Sequence, residues 1–377
     1  MKIFKYSLYS FSVFILLNCQ SINAQSSTSL DDLKKQVNLL QEKIELIEKT
    51  QKENVKPDAV ISPNQNNKQS AKKNSLRFYA TLRPSFGHID ENGESFWDVR
   101  DALSHAGIRA TNSFSKDWSA VLHGEWGMDL SNNGDFGKAR QVYVALNSPV
   151  GSIGIGKQRP VQYLFIAEYT DIFNHSNSPF AYDAESIFFV DNLVTYKLKT
   201  GDFSWMLASQ FNGTDGDNNS DLTNIGISYD KDSFHTAFTY LTQDNNTDGI
   251  KEGEDEVFAG ALAYTFSNTL YVALAYQDRQ YQIDSDPNDR HGHTLDLSAA
   301  YNLANNFKVK LGFFDFSDGY KTAQSQDFNG YNTTLEWMPN SSLRFHIEYL
   351  HRNFEYLDDF SSISIGFRYD LSSEVKY

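Results

Sequence analysis

From Arg77 to the end of the chain, apolar and polar residues alternate in stretches of about ten residues separated by turn-rich segments, and a period of two is the signature of strands. RFYATLRPSF puts Phe78, Ala80, Leu82, Pro84 and Phe86 on one face, with Arg77, Tyr79, Thr81, Arg83 and Ser85 on the other. WSAVLHGEWGM sets Trp118, Ala120, Leu122, Trp126 and Met128 against Ser119, His123, Glu125 and, just beyond it, Asp129. FSWMLASQF, FHTAFTYL, VFAGALAYTF, TLYVALAYQ, HTLDLSAAY, FKVKLGFFDF, YNTTLEWM, LRFHIEYL and SISIGFRYDL continue the series; it is weakest at VYVAL, apolar on both faces. About sixteen such stretches lie between Arg77 and Tyr377, roughly 19 residues per strand and connection, the spacing of a large antiparallel barrel. The connections alternate as well. Short ones (TNSFSKDW, NSPVGS, KTGD, DKDS, SNT, LANN) are interleaved with long ones (DENGESFWDVRD, NGTDGDNNSD, TQDNNTDGIKEGEDE, QIDSDPNDRHG, SDGYKTAQSQDFNG), so one end carries tight turns and the other large polar loops. A soluble sandwich or propeller has no reason to sustain that alternation. With 28 Phe and 21 Tyr against 4 Met and 8 Pro, the composition suits strands and aromatic girdles.

The first 24 residues, MKIFKYSLYSFSVFILLNCQSINA, combine Lys2 and Lys5, an apolar run around Phe11 to Leu17 and Ala24 at the cut position. They are expected to be a secretory signal peptide, since the run is shorter than the roughly 20 residues of a spanning helix. Losing Lys2 and Lys5 and no acid takes the net charge from −15 to −17, which disfavours nucleic acid as a partner. The single Cys19 leaves with the signal, removing thiol catalysis and disulfides. Within residues 25–50, Leu30, Leu33, Val37, Leu40, Ile44 and Ile47 are spaced 3, 4, 3, 4, 3, an a/d seam expected to form a short α-helical coiled coil. Its β-branched residues lean towards a trimer. Residues 51–75, polar, without period and broken by Pro57 and Pro63, read as a linker, leaving 76–377 as the barrel.

SHAGIRATNSFSKDWSAVLHGEWGMD, KARQVYVALNSPVGSIGIGKQ and the segment GKQRPVQYLFIAEYTDIFNHSNSPFAYD, too long for a hairpin loop, together resemble strands two to five and the constriction loop of Gram-negative general porins. The resemblance implies an all-β fold: a 16-stranded antiparallel transmembrane β-barrel with an inward-folded constriction loop, preceded by a short coiled coil. It also implies a homotrimer in outer-membrane lipid that passes small hydrophilic solutes and ions. In some porins such a coil projects on the periplasmic side, where it could reach the cell wall. At the C-terminus, Ile363, Ile365, Phe367, Tyr369, Leu371, Val375 and Tyr377 share one face and resemble the barrel-insertion signal, with Tyr377 where the family prefers Phe.

In a porin the chemistry is electrostatic. By alternation Arg77, Arg83, Arg109, Arg344 and Arg368 point inward, as do Glu125 and Glu348, while parity leaves Arg140 and Arg159 undecided. The resemblance implies wall arginines facing loop acids, here Glu168, Asp171, Asp183 and Glu185, across a narrow pore whose transverse field disfavours apolar solutes. Two other functions stay open: a channel specific for phosphate or an oligosaccharide, and a structural tether or adhesin. Asp244, Asn246, Asp248, Gly249 and Asp255 follow the order of a calcium loop, D-x-N-x-D-G-x5-D, although without flanking helices an ordinary solvated acidic loop is the simpler reading. No cofactor is otherwise expected, and with no HExxH, GxSxG or phosphate-cradling loop in the sequence, neither is enzymatic activity.

Overall fold

The computed structural model describes residues 74–131, 134, 136–174, 187–213, 219–247, 250–267, 269–283, 290–320 and 325–377. The expected signal peptide, coiled coil and almost all of the linker lie outside them. Eighteen strand segments follow in chain order: β1 (Ser75–Leu82), β2 (Pro84–Glu91), β3 (Glu94–Asp101), β4 (His105–Ser113), β5 (Ser119–Met128), β6 (Phe136–Ser148), β7 (Gly151–Gln158), β8 (Val190–Thr200) and β9 (Phe203–Gln210). The rest are β10 (Leu222–Lys231), β11 (Phe234–Thr247), β12 (Ile250–Phe266), β13 (Leu270–Ile283), β14 (Arg290–Asn302), β15 (Phe307–Ser317), β16 (Phe328–Asn340), β17 (Leu343–Phe354) and β18 (Phe360–Lys376). Each pairs antiparallel with its neighbours, and β18 returns to pair with both β1 and β2, closing the sheet. Because β1 and β2 are one strand interrupted at Arg83, and β3 and β4 one strand interrupted at Ala102 to Ser104, the wall is a closed barrel of sixteen strands.

That interruption has a local cause. Pro84 has no N–H to give to a ladder. Arg83 N donates instead to Ser104 Oγ at 2.7 Å, and Ala102 N donates to Arg83 O at 2.9 Å, so the two breaks are stitched to each other. The register is kept across the gap: Leu82 pairs with Tyr369 and Ser85 with Gly366, which sets Arg83 opposite Arg368.

Burial is inverted relative to a soluble protein. Phe238 is 67% and Ile365 55% exposed, while Glu336 and Glu348, pointing the other way, are 0% and 1% exposed. The exposed apolar face is the one a bilayer covers, and the polar face lines the interior. Phe307, Trp337 and Phe345, beside the short turns that follow β14 and β16, stack on one another in an aromatic row of the kind that marks a membrane interface.

Two of the long connections read from sequence are shorter than expected. DENGESFWDVRD is not a loop: Asn92 (φ 55°) and Gly93 (φ 75°) form a two-residue turn and Glu94–Asp101 is β3. In TQDNNTDGIKEGEDE, β11 runs to Thr247 and β12 starts at Ile250. Charged and turn-forming residues hide the alternation in both stretches, while the backbone ladder runs on through them.

Candidate functional site

After β7 the chain leaves the wall, makes one π turn (Tyr163–Ala167) and one α turn (Glu168–Thr170), and runs to Asn174 along the polar face of strand after strand. Gln162 N donates to Asn224 on β10 at 2.9 Å, and Gln162 Nε2 to Gln277 on β13. His235 Nε2 on β11 donates to Phe165 O at 2.9 Å, its ring stacked on Tyr169. Further along, Tyr271 on β13 donates to Tyr169 O (2.7 Å), Ser298 on β14 to Thr170 O (2.8 Å) and Lys310 on β15 to Ile172 O (2.8 Å). At Asn174 three elements meet. Arg83 Nη2 donates to Phe173 O at 3.1 Å and Asn174 O at 2.6 Å, Asn174 Nδ2 donates to Glu336 on β16 at 2.5 Å, and Asn174 N donates to Glu348 on β17 at 3.2 Å.

The apolar side of the same segment packs on a patch of wall built small for it. Val161, Phe165 and Ile166 are buried against Leu193, Ala208, Leu222, Ala237, Leu241, Ala259, Ala261 and Ala275. Gly226 and Gly312 complete the fit: a Cβ at Gly226 would stand 2.8 Å from Val161, and one at Gly312 2.5 Å from the Phe173 ring. A wall with ordinary side chains at these positions could not hold the segment this close.

Of the predicted inward arginines, the structure brings Arg83, Arg344 and Arg368 together. Arg368 pairs in register with Arg344, and Asp370 sits among them, accepting from Thr81 (2.8 Å), Arg368 Nε (3.0 Å) and Arg344 Nη2 (3.3 Å). Arg77 and Arg109 face each other on β1 and β4, and among the described residues no hydrogen bond or ion pair joins either to the segment. Asp183 and Glu185 lie outside the described residues. Glu168 faces Arg159, Lys197 and Asp171 rather than Arg83. What reaches Arg83 is backbone carbonyl, while carboxylates of the wall, Glu336 and Glu348, hold the segment's Asn174. Asp244 and Asp255 of the calcium-like order lie in β11 and β12, the first on Lys251 at 2.6 Å, the second on Arg279 at 2.6 Å and Asn245 at 2.6 Å. Asp248 and the Asn246 side chain are outside the described residues.

Several residues of this network were not singled out from sequence. Lys310 and Glu336, 2.8 Å apart and buried, are inward by simple alternation in FKVKLGFFDF and YNTTLEWM, so the signal was there. Arg140 had none: the β5–β6 register shifts near Trp126, and only there does Arg140 come round to Glu125, 2.8 Å away.

The match to known proteins is decisive at this point: the model of the Gram-negative porin family covers residues 65–377. The chain belongs to that family. It is an outer-membrane porin, a barrel through which small hydrophilic solutes and ions diffuse passively. No curated protein matches it in sequence. Among solved structures, the anion-selective porin from Comamonas acidovorans is similar in fold at 15% identity, covering 79% of this chain and 100% of that one with a TM-score of 0.67. The outer-membrane protein OmpT of Vibrio cholerae in its trimer form shares 16% identity over 80% of this porin and 100% of its own chain, TM-score 0.63. The outer membrane channel DcaP of Acinetobacter baumannii shares 11%, over 82% and 100%, TM-score 0.63.

In this porin Glu168 belongs to no strand, and burial pushes its carboxyl up to about 7 against the opposing pull of Arg159 and Lys197. Below that pH it is neutral, and above it a negative charge appears beside two cations. Raising the pH from 6 to 8 is therefore expected to shift the reversal potential in a KCl gradient towards cation preference, and E168Q to remove most of that shift.

Proposed function

We propose that this porin is a homotrimeric general-diffusion channel in which the segment from Arg159 to Asn174 folds into the barrel and narrows it. The observation that carries the reading is the chain of hydrogen bonds from Gln162 to Asn174, which visits the polar faces of β10, β11 and β13 to β17 before ending at Arg83. A hairpin loop free in water would have no reason to spend its carbonyls on inner-wall donors. Charged side chains stand at both ends of the segment, Arg83, Arg344 and Arg368 with Asp370 at one and Arg159, Lys197 and Glu168 at the other, and a lining of this kind favours polar solutes. The heptads from Leu30 to Ile47 make the natural trimer clamp on the periplasmic side.

Reconstituted full-length protein is expected to give large, weakly selective conductance steps, arriving in threes, that do not saturate with salt. Absence of any conductance would sink the channel and leave the tether or adhesin reading. Single steps without grouping would sink the trimer.

A further inference from the structure

We propose that Arg77 and Arg109 form an oxyanion-binding subsite on the inner wall of the barrel, a second station for phosphate-like solutes; this rests on the porin reading. The two residues are direct cross-strand partners in the β1–β4 ladder, so their side chains leave the sheet on the same face and side by side. Both are exposed on that face. Like charges in this position repel, and sequences ordinarily place an opposite charge beside them.

Here, among the described residues, the inward acids on the two flanking strands, Glu374 and Glu125, each pair with another group. On the far side of Arg77 its register partner is Glu374 on β18, which pairs with Lys376 at 3.5 Å. Glu125, the nearest inward acid on β5, is taken by Arg140 Nε at 2.8 Å, by the Tyr79 hydroxyl at 2.7 Å and by His105 Nε2 at 3.8 Å. Tyr79 makes that contact by lying across Gly107, where a Cβ would come within 2.4 Å of its ring, so an aromatic plate stands between the arginine pair and Glu125. On the other side of Arg109 its partner is His123 on β5, which brings no negative charge. The Tyr79 hydrogen goes to Glu125, so His123 Nε2 donates to the phenol oxygen at 2.7 Å, and the ring rests edge-on against Tyr143. Among the described residues neither Arg77 nor Arg109 has an ion pair, and the Arg77 guanidinium lies 5.7 Å from the centre of the Tyr79 ring.

Two adjacent guanidinium forks open to water are matched by an oxyanion, whose oxygens accept from both at once; chloride, a single sphere, cannot use the fork geometry. Arg77 lies six residues before Arg83, about 20 Å along the strand and towards the short-turn end. A phosphate that has passed the segment at Arg83 would meet this pair next, which gives an acidic protein a local route for anions.

The test is chloride conductance through single channels of the full-length protein, with phosphate added at constant ionic strength. The subsite predicts a saturable fall in chloride current in the wild type. R77Q and R109Q, each at an exposed position, should raise the half-saturating phosphate concentration by about tenfold, the loss of one charge-assisted contact. R77K and R109K keep the charge and lose the fork, and should lie between. Normal channels in which phosphate acts no differently from added chloride overturn the subsite and leave the porin standing, as would lysine variants indistinguishable from wild type, since plain charge would then suffice. A wild type with no channels overturns the porin reading itself.

Discussion

Deletion of Phe165 to Ser178 is expected to raise the single-channel conductance about twofold while leaving a folded barrel, because a wall of sixteen strands encloses a water-filled channel unless something is placed inside it. The barrel does not depend on the segment for closure. On either side of it β7 and β8 pair from Ser152 with Lys197 to Gln158 with Val190, and the ladder runs on through β9 to β10. The deletion uncovers the alanine-rich patch and forfeits the burial of Phe165 and Ile166, a cost of about 1.5–3 kcal/mol for each. Of the groups that held the segment, Lys310 and Glu336 keep each other at 2.8 Å, and elsewhere on the wall Arg344 and Arg368 keep Asp370. Conductance in planar bilayers, with uptake of larger sugars into liposomes as a second measure, decides the matter. Unchanged conductance would mean that the segment does not limit the pore.

Much of this architecture is legible in the residues. Alternation with apolar residues on one face marks Phe78, Phe86, Leu122 and Ile363 as lipid-facing, and all four are exposed. It fails in two physical settings. Where charged residues occupy both faces of a strand, as from Glu252 to Glu256 around Asp255, or crowd a short apolar run, as at Glu94–Asp101, the sequence looks like a loop. Where a ladder slips, as β5 and β6 do near Trp126, parity loses its reference, and Arg140 could not be assigned. The inward arginines were readable, but not which of them share a site: that depends on register across β1, β2, β17 and β18, which unites Arg83 with Arg368 and Arg344 and leaves Arg77 with Arg109. The resemblance also set loop acids against wall arginines, whereas Arg83 takes loop carbonyls and the wall's own Glu336 and Glu348 take Asn174. Side-chain alternation carries no information about backbone carbonyls, so this part of the design was invisible.

The Lys310–Glu336 pair permits a sharper test, because it supports the fold and the segment through different atoms. Glu336 is wholly buried and Lys310 nearly so, and the ammonium also donates to Ile172 O at 2.8 Å. Lys310→Met leaves a buried carboxylate with Asn174 Nδ2 as its remaining described hydrogen-bond partner, and removing one member of a buried pair costs about 3–5 kcal/mol. Thermal unfolding in detergent should register that as a clear fall in Tm. Replacing both members, K310M with E336M, removes the stranded charge along with the pair, and well-packed apolar substitutes for a buried ion pair are commonly neutral or stabilising. The double variant should therefore recover most of the lost Tm. It cannot recover the bond to Ile172 or the one to Asn174, so its channels should still flicker and conduct more than wild type. If stability and conductance recover together, the segment does not rely on these two side chains, and its anchorage lies with Arg83, Ser298 and Tyr271 instead.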